Sequence, residues 1–265
     1  ALARSPAFGW LVDQVSKLAT TPGRAIVLVT SFTLLACWIN WGVGLVAGAV
    51  LARELARNVK GVDYRLLIAA AYSSFIVWHG GLSGSATLLI ATEGNFLQEA
   101  AGRLVPVSET IFSRLNLSIS ILVSLTLILT FYLISRSIVE PVGMPQSAVP
   151  EKRDSIKQDD GVPATRMENS RLLGILTGLL GMATIAIYFR GAGGLDLNAV
   201  IFILIFAGML LHGSLAAYLK ALNEGVSGAT GVVIQFPFYA GIMGMMASSG
   251  MSADFVRYFS EIATA

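Results

Sequence analysis

Three short stretches hold the residues whose types and spacing could do chemistry. They are CWINWGVG from Cys37 to Gly44, WHGGLSGSA from Trp78 to Ala86, and IQFPFYAG from Ile234 to Gly241. Each interrupts an apolar run with glycine, proline or an uncharged polar side chain. Glycine and proline weaken a helix, and a break frees backbone N–H and C=O groups. In an apolar setting each unmet group costs several kcal/mol, so a break must line a polar cavity or be held by neighbouring helices. One use of such breaks is to aim half-helix N-termini at an anion while unwound carbonyls hold a cation.

On that reading Ser83 and Ser85 lie where a second half-helix restarts, and their hydroxyls can hold a carboxylate. Asn40 can do the same, or offer its carbonyl to Na⁺. Gly42, Gly80, Gly81 and Gly84 allow close backbone approach. The alternative for any single break is a kinked, tightly packed span. His79 is the one ionisable side chain inside an apolar run, which makes it a candidate proton or charge site; a neutral imidazole hydrogen-bonded in the break is the other reading. Gln235, just before Pro237, either supplies a polar contact to the cavity or stabilises a kink. His212 sits at a segment end and is expected to be structural. Cys37 lies in an apolar run and reads as a small hydrophobe.

The motifs of hydrolytic and nucleotide-binding enzymes are missing from the sequence. It contains no His-Glu-x-x-His, no Gly-x-Ser-x-Gly and no phosphate-cradling Gly-Lys-Ser/Thr loop. No cofactor, metal site or nucleic-acid surface is expected. The lone cysteine permits no intrachain disulfide.

The elements that must position these residues are apolar helices. Of the 265 residues 55% are hydrophobic and 13% charged, against about 25% charged in a soluble domain. Too few charges are present to make a water-facing skin, so the surface is expected to face lipid. Six embedded segments can be traced: 25–52, 66–92, 115–135, 172–189, 197–211 and 226–247. Residues 6–19 read as an amphipathic helix capped by Ser5, with Phe8, Leu11, Val12, Val15 and Leu18 on one face. It suits a membrane interface or a connector packed on its neighbours. Residues 136–170 hold four prolines and many charges without apolar period and read as an exposed linker. The expected organisation is a first membrane repeat over 1–135, the linker, and the start of a second repeat over 171–265. The chain opens on Ala1 and stops after a short amphipathic segment, so it is expected to be a piece of a longer protein.

Charge sets the topology. Arg4, Lys17 and Arg24, then Arg53, Arg57, Lys60 and Arg65, then the basic linker all favour the cytoplasmic side. If 25–52 crossed the bilayer, the first two groups would face opposite sides. Its 28 residues are too few for two spans of roughly 20 residues each. A re-entrant hairpin with its tip near Asn40-Trp41-Gly42 satisfies both constraints; one long tilted helix is the alternative.

At these residues the chain resembles the bacterial short-chain fatty acid transporter family. The resemblance lies in INWGVGLVAGAVLARELAR from Ile39, LSGSATLLIAT from Leu82 and VVIQFPFYAGIMGMM from Val232. That family is similar to the ion transporter superfamily, in which two inverted repeats each hold a re-entrant hairpin and a broken helix that meet around the substrate. The resemblance implies Asn40 at the hairpin tip and Ser83 to Ser85 in the broken helix. It implies a short-chain carboxylate such as butyrate or acetoacetate as substrate, moved with Na⁺ or H⁺. It also implies a longer protein, with a second hairpin and second broken helix beyond Ala265.

The expectation is thus an all-α polytopic membrane protein, a helical bundle with a re-entrant hairpin and broken helices. It is expected in the bacterial inner membrane, with a small carboxylate and the lipid bilayer as partners, no nucleic acid, and a homodimer as the assembly. The proposed activity is secondary transport by alternating access, with Asn40, Gly42, Gly81, Ser83, Gly84, Ser85 and Gln235 in the substrate site. A channel or a structural membrane subunit is the alternative.

Overall fold

The computed structural model describes residues 2–84, 86–95, 102–145, 162–191 and 193–263. Among these the regular structure is entirely helical. The helices are α1 (Pro6–Ser16), α2 (Pro22–Ile39), α3 (Trp41–Asn58), α4 (Tyr64–Ser73), α5 (Arg114–Ser137), α6 (Pro163–Asn169), α7 (Arg171–Arg190), α8 (Leu197–His212), α9 (Leu215–Ser248) and α10 (Met251–Ala263). Three-residue 3₁₀ turns lie at Leu2–Arg4 and Leu89–Ala91, and a longer one, Ser74–Gly80, continues α4.

Local sequence starts these helices where side chains can satisfy their first N–H groups. Ser5 accepts from the Phe8 N–H at 3.2 Å, Thr21 from Arg24, Asp63 from Leu66 at 3.0 Å, Ser113 from Asn116 at 3.2 Å and Asp196 from Ala199 at 2.7 Å. Pro6, Pro22 and Pro163 occupy first-turn positions, where no N–H is needed.

The chain divides into two compact units, Ala1–Tyr218 and Leu219–Ala265. In the first, α2 and α3 fold back on each other about Asn40. Small residues set their spacing. A Cβ on Gly44 would collide with the Cys37 side chain and backbone, and one on Gly48 would sit 2.6 Å from Thr33 Oγ1. Pairing 37 with 44 and 33 with 48 is antiparallel. Further from the turn, Ile26, Val29, Leu51 and Leu55 are fully buried and join Leu67 and Ala70 of α4 in one core. The α1 helix covers this core with Val12, and Asn58 donates to Ser16 Oγ at 3.0 Å. Phe8 and Val15 pack beside Val12, whereas Leu11 and Leu18 remain exposed.

A second antiparallel pair, α7 and α8, packs on glycine. Gly178 faces Leu210, Gly181 faces the Phe206 ring, and Gly174 faces the Gly213–Ser214 backbone. Gly213 ends α8 in the left-handed region at φ 76°, the conformation that favours glycine at a helix C-terminus. In the second unit α10 presents Phe255, Tyr258, Phe259 and Ile262, all exposed.

By length and composition α2, α5 and α7 can each cross a bilayer, and α8 is a shorter apolar helix. An all-helical described structure with three apolar helices of bilayer length is that of a membrane protein of helical type. Three expectations change. The segment 66–92 does break, but no second α-helical half restarts at Ser83: the described part of 81–95 is turns and one 3₁₀ turn. The stretch 234–241 does not break. The α9 helix runs through Pro237, so the lost N–H is absorbed within a continuous helix. The linker is not free at its start: Val142 donates to Asp63 Oδ2 at 2.9 Å and its carbonyl accepts from Tyr64 at 2.8 Å. Much of the rest of that linker, 146–161, lies outside the described residues.

Candidate functional site

Asn40 ends one helix and begins the next. Its extended backbone, at φ −155° and ψ 120°, turns the chain in a single residue. Its N–H closes α2 on the Ala36 carbonyl at 2.8 Å. Its side-chain oxygen caps α3 by accepting from Val43 at 3.0 Å. Asparagine suits this place because its short amide can replace a backbone acceptor.

The tip is fastened to the end of the α4 segment by two hydrogen bonds. Leu82 N–H donates to the Trp38 carbonyl at 2.8 Å, and Trp41 N–H donates to Ser83 Oγ at 3.0 Å. The approach demands glycine at 81, where a Cβ would collide with the Trp38 carbonyl oxygen. Lower down, Ser74 Oγ donates to the Thr30 carbonyl at 3.3 Å. The two segments therefore run side by side from 30 and 74 to 38 and 82.

Beyond Gly80 the chain is held by side chains. Asn116 Nδ2, in the first turn of α5, donates to the carbonyls of Gly80 at 2.8 Å and Ile111 at 2.7 Å. Thr87 Oγ1 donates to the His79 carbonyl at 3.3 Å and lies 3.5 Å from that of Gly81. Gly84 N–H donates to the Gly81 carbonyl at 3.1 Å, and a Cβ on Gly84 would strike the His79 carbonyl. Trp38, Thr87 and Asn116 were not singled out from sequence. Trp38 acts through its backbone, which no side-chain pattern reveals. Asn116 could have been suspected as an amide one turn into an apolar run.

The carbonyls of Trp38, His79 and Gly80 are thus spent within the protein, and several donors are not. Among the described residues, Asn40 Nδ2, the Gly42 N–H and the Ser83 hydroxyl hydrogen have no acceptor. Asn40, Gly42 and Ser83 are all half-buried. The N-terminus of α3 adds its positive dipole end at the same place. Uncharged donors at a helix N-terminus are chemistry for an anion.

The structure brings together Asn40, Gly42, Gly81, Ser83 and Gly84. Ser85 lies outside the described residues. His79 is exposed, with its ring 3.9 Å from that of Trp78. Gln235 is exposed on α9 within the second compact unit. His212 donates its Nδ1–H to the Gly208 carbonyl, 2.8 Å away, at the end of α8. Among the described residues no group of His, Cys, Asp and Glu is arranged to hold a metal.

No solved structure matches this chain. Curated proteins do. A protein of Escherichia coli strain K12, named provisionally as a short-chain fatty acid transporter, is 41% identical over 270 residues, covering 99% of this chain and 60% of that protein. A Haemophilus influenzae protein of the same provisional name is 38% identical, covering 99% of this chain and 61% of its own length. The chain therefore spans about three fifths of the curated relatives it matches. The profile of the family described as short chain fatty acid transporter matches residues 1–264, and the chain belongs to that family.

Proposed function

We propose that the chain forms part of a secondary active carrier for short-chain carboxylates of the butyrate and acetoacetate class. The carrier sits multi-pass in the bacterial inner membrane, couples to Na⁺ or H⁺, and works by alternating access. The observation that carries this reading is the tip of α2–α3 fastened to residues 82 and 83 with three donors left over. The Ser83 hydroxyl, the Asn40 amide and the Gly42 N–H hold the carboxylate, and Gly81 and Gly84 give the backbone room to supply them.

The hairpin is re-entrant in this reading. Its apolar part on α3 is the run Trp41–Ala52, about 18 Å long at ~1.5 Å per residue. The hydrocarbon core is about 30 Å thick. Antiparallel pairing puts Arg24 and the Arg53–Lys60 region at one end, as a hairpin entering and leaving on the cytoplasmic side requires. Residues 1–135 make the first repeat and 171–265 begin the second.

Uptake of labelled butyrate by the full-length protein in proteoliposomes tests the proposal. Saturable uptake under a Na⁺ or proton gradient is expected. Ser83→Ala is expected to weaken it by roughly tenfold or more, as loss of a hydrogen bond to a charged group does. Ion flux without saturation would mark a channel, and absence of saturable uptake for every short acid under either gradient would sink the carrier.

A further inference from the structure

We propose that Trp41, Phe75 and Trp78 form a rigid wall that limits the length of acyl tail the tip site accepts. This rests on the carboxylate reading above. Asn40 and Gly42, which carry two of the free donors, flank Trp41 in sequence, so their Cα atoms lie one peptide, about 3.8 Å, from its own. A carboxylate held there leaves its tail beside the indole.

The rings around that indole are fixed. Trp41 meets Phe75 edge-on at 6.0 Å and 76°, and Trp78 at 6.3 Å. Phe75 stacks on Trp78 at 5.2 Å and 17°. All three residues are half-buried. Two-torsion aromatic side chains braced against one another cannot recede as methionine or leucine would. Such a boundary admits a tail of a few carbons and rejects a longer one by size. Ser83 holds Trp41 through its main-chain N–H, so the ring can be replaced without deleting the group that makes that bond. The tail-length limit and the carboxylate contact are therefore separable by mutation.

The test is competition in proteoliposomes of the full-length protein. Labelled butyrate is the transported acid and hexanoate the inhibitor, with wild type, Trp41→Ala and Phe75→Leu compared. The ratio of the hexanoate inhibition constant to the butyrate KM is expected to fall by about tenfold in Trp41→Ala, the discrimination that a methylene or two of pocket length supports. It is expected to fall by less in Phe75→Leu, and to be regained in Trp41→Phe. The wall is overturned if butyrate is carried and the ratio stays fixed in both ring-removing variants, or if wild type already binds hexanoate as tightly as butyrate. Should Trp41→Ala fail to insert, Phe75→Leu decides alone. A wild type that carries no short acid overturns the carrier reading itself, and the wall with it.

Discussion

The two antiparallel helix pairs use one packing device for different ends. In α2–α3 and in α7–α8 a row of small residues lets the backbones close, as is common where apolar solvent offers no hydrophobic drive. The first pair turns in one residue, Asn40, and its turn is bonded to 82 and 83 by 2.8 and 3.0 Å hydrogen bonds. The second pair is joined through residues 191–196 and exposes much of α7, including Leu172, Leu180 and Ile187. Glycine rows therefore give only proximity. What makes the first pair a candidate site is that its turn leaves polar backbone inside the bundle, where each group must find a partner or a ligand.

The largest expected effect separates the two rows. Gly81→Ala forces a methyl against the Trp38 carbonyl oxygen, which belongs to the backbone. Gly181→Ala meets the Phe206 ring at Cγ and both Cδ atoms, so that side chain must swing about Cα–Cβ, but no backbone atom is struck. Overpacking of this kind costs about 1–3 kcal/mol, more where backbone must move. Thermal denaturation of detergent-solubilised full-length protein should place Gly81→Ala above that range and Gly181→Ala within it. Saturable butyrate uptake should vanish only in the former. Equal losses would mean that the tip is no more constrained than the second pair.

The capping aspartates sharpen the comparison next. Asp63 is 5% exposed and accepts from Leu66 and Val142 N–H groups and from Arg65, at 2.8 Å to Nη2. The Arg65 hydrogen bond first, then the backbone donors, hold its carboxyl well below the usual carboxylate range against the opposing effect of burial. Asp196 accepts from the Ala199 N–H. Asp63→Asn should therefore cost about 1–3 kcal/mol and Asp196→Asn no more than a few tenths. Arg65 is itself mostly exposed, so most of the Asp63 effect comes from the backbone donors. Because the folded pKa is depressed, this stability is fully present above about pH 4, the unfolded range. It is lost as pH falls from there toward the folded value. The gap between wild-type and Asp63→Asn melts should narrow as pH falls below about 4, and parallel curves would break the assignment.

The smallest effect is expected at the exposed Lys17–Asp13 pair on α1, 2.6 Å apart. Lys17→Gln should change the melting free energy by less than about 0.5 kcal/mol, because solvent screens such pairs. A larger loss would tie α1 to the first hairpin more strongly than Val12 and Ser16 do.

Much of this was legible in the residues. The uncharged run from Ala25 to Ala52 with Asn40-Trp41-Gly42 at its middle pointed to a hairpin, since charge parity and length are both one-dimensional properties. Ser5 marked the start of α1 because capping acts within three residues. Pro237 misled. A proline signals a lost hydrogen bond, yet whether the helix tolerates that loss depends on its surroundings. The restart expected at Ser83 also failed. Glycine density shows that a helix stops, but not that another begins.

Composition alone pointed to a membrane-embedded chain, because 13% charge cannot clothe a water-facing surface, and the length of the apolar runs pointed to helices. Charge parity and run length pointed to a hairpin tip near Asn40-Trp41-Gly42, with one long tilted helix as the alternative. Tertiary structure decided the rest. It placed Ser83 on Trp41 across 42 positions of sequence, consumed the Trp38 and Gly80 carbonyls through Leu82 and Asn116, and set the Trp41, Phe75 and Trp78 rings together. Which donors are satisfied and which remain for a ligand depends on partners distant in the chain, and no local pattern carries that information.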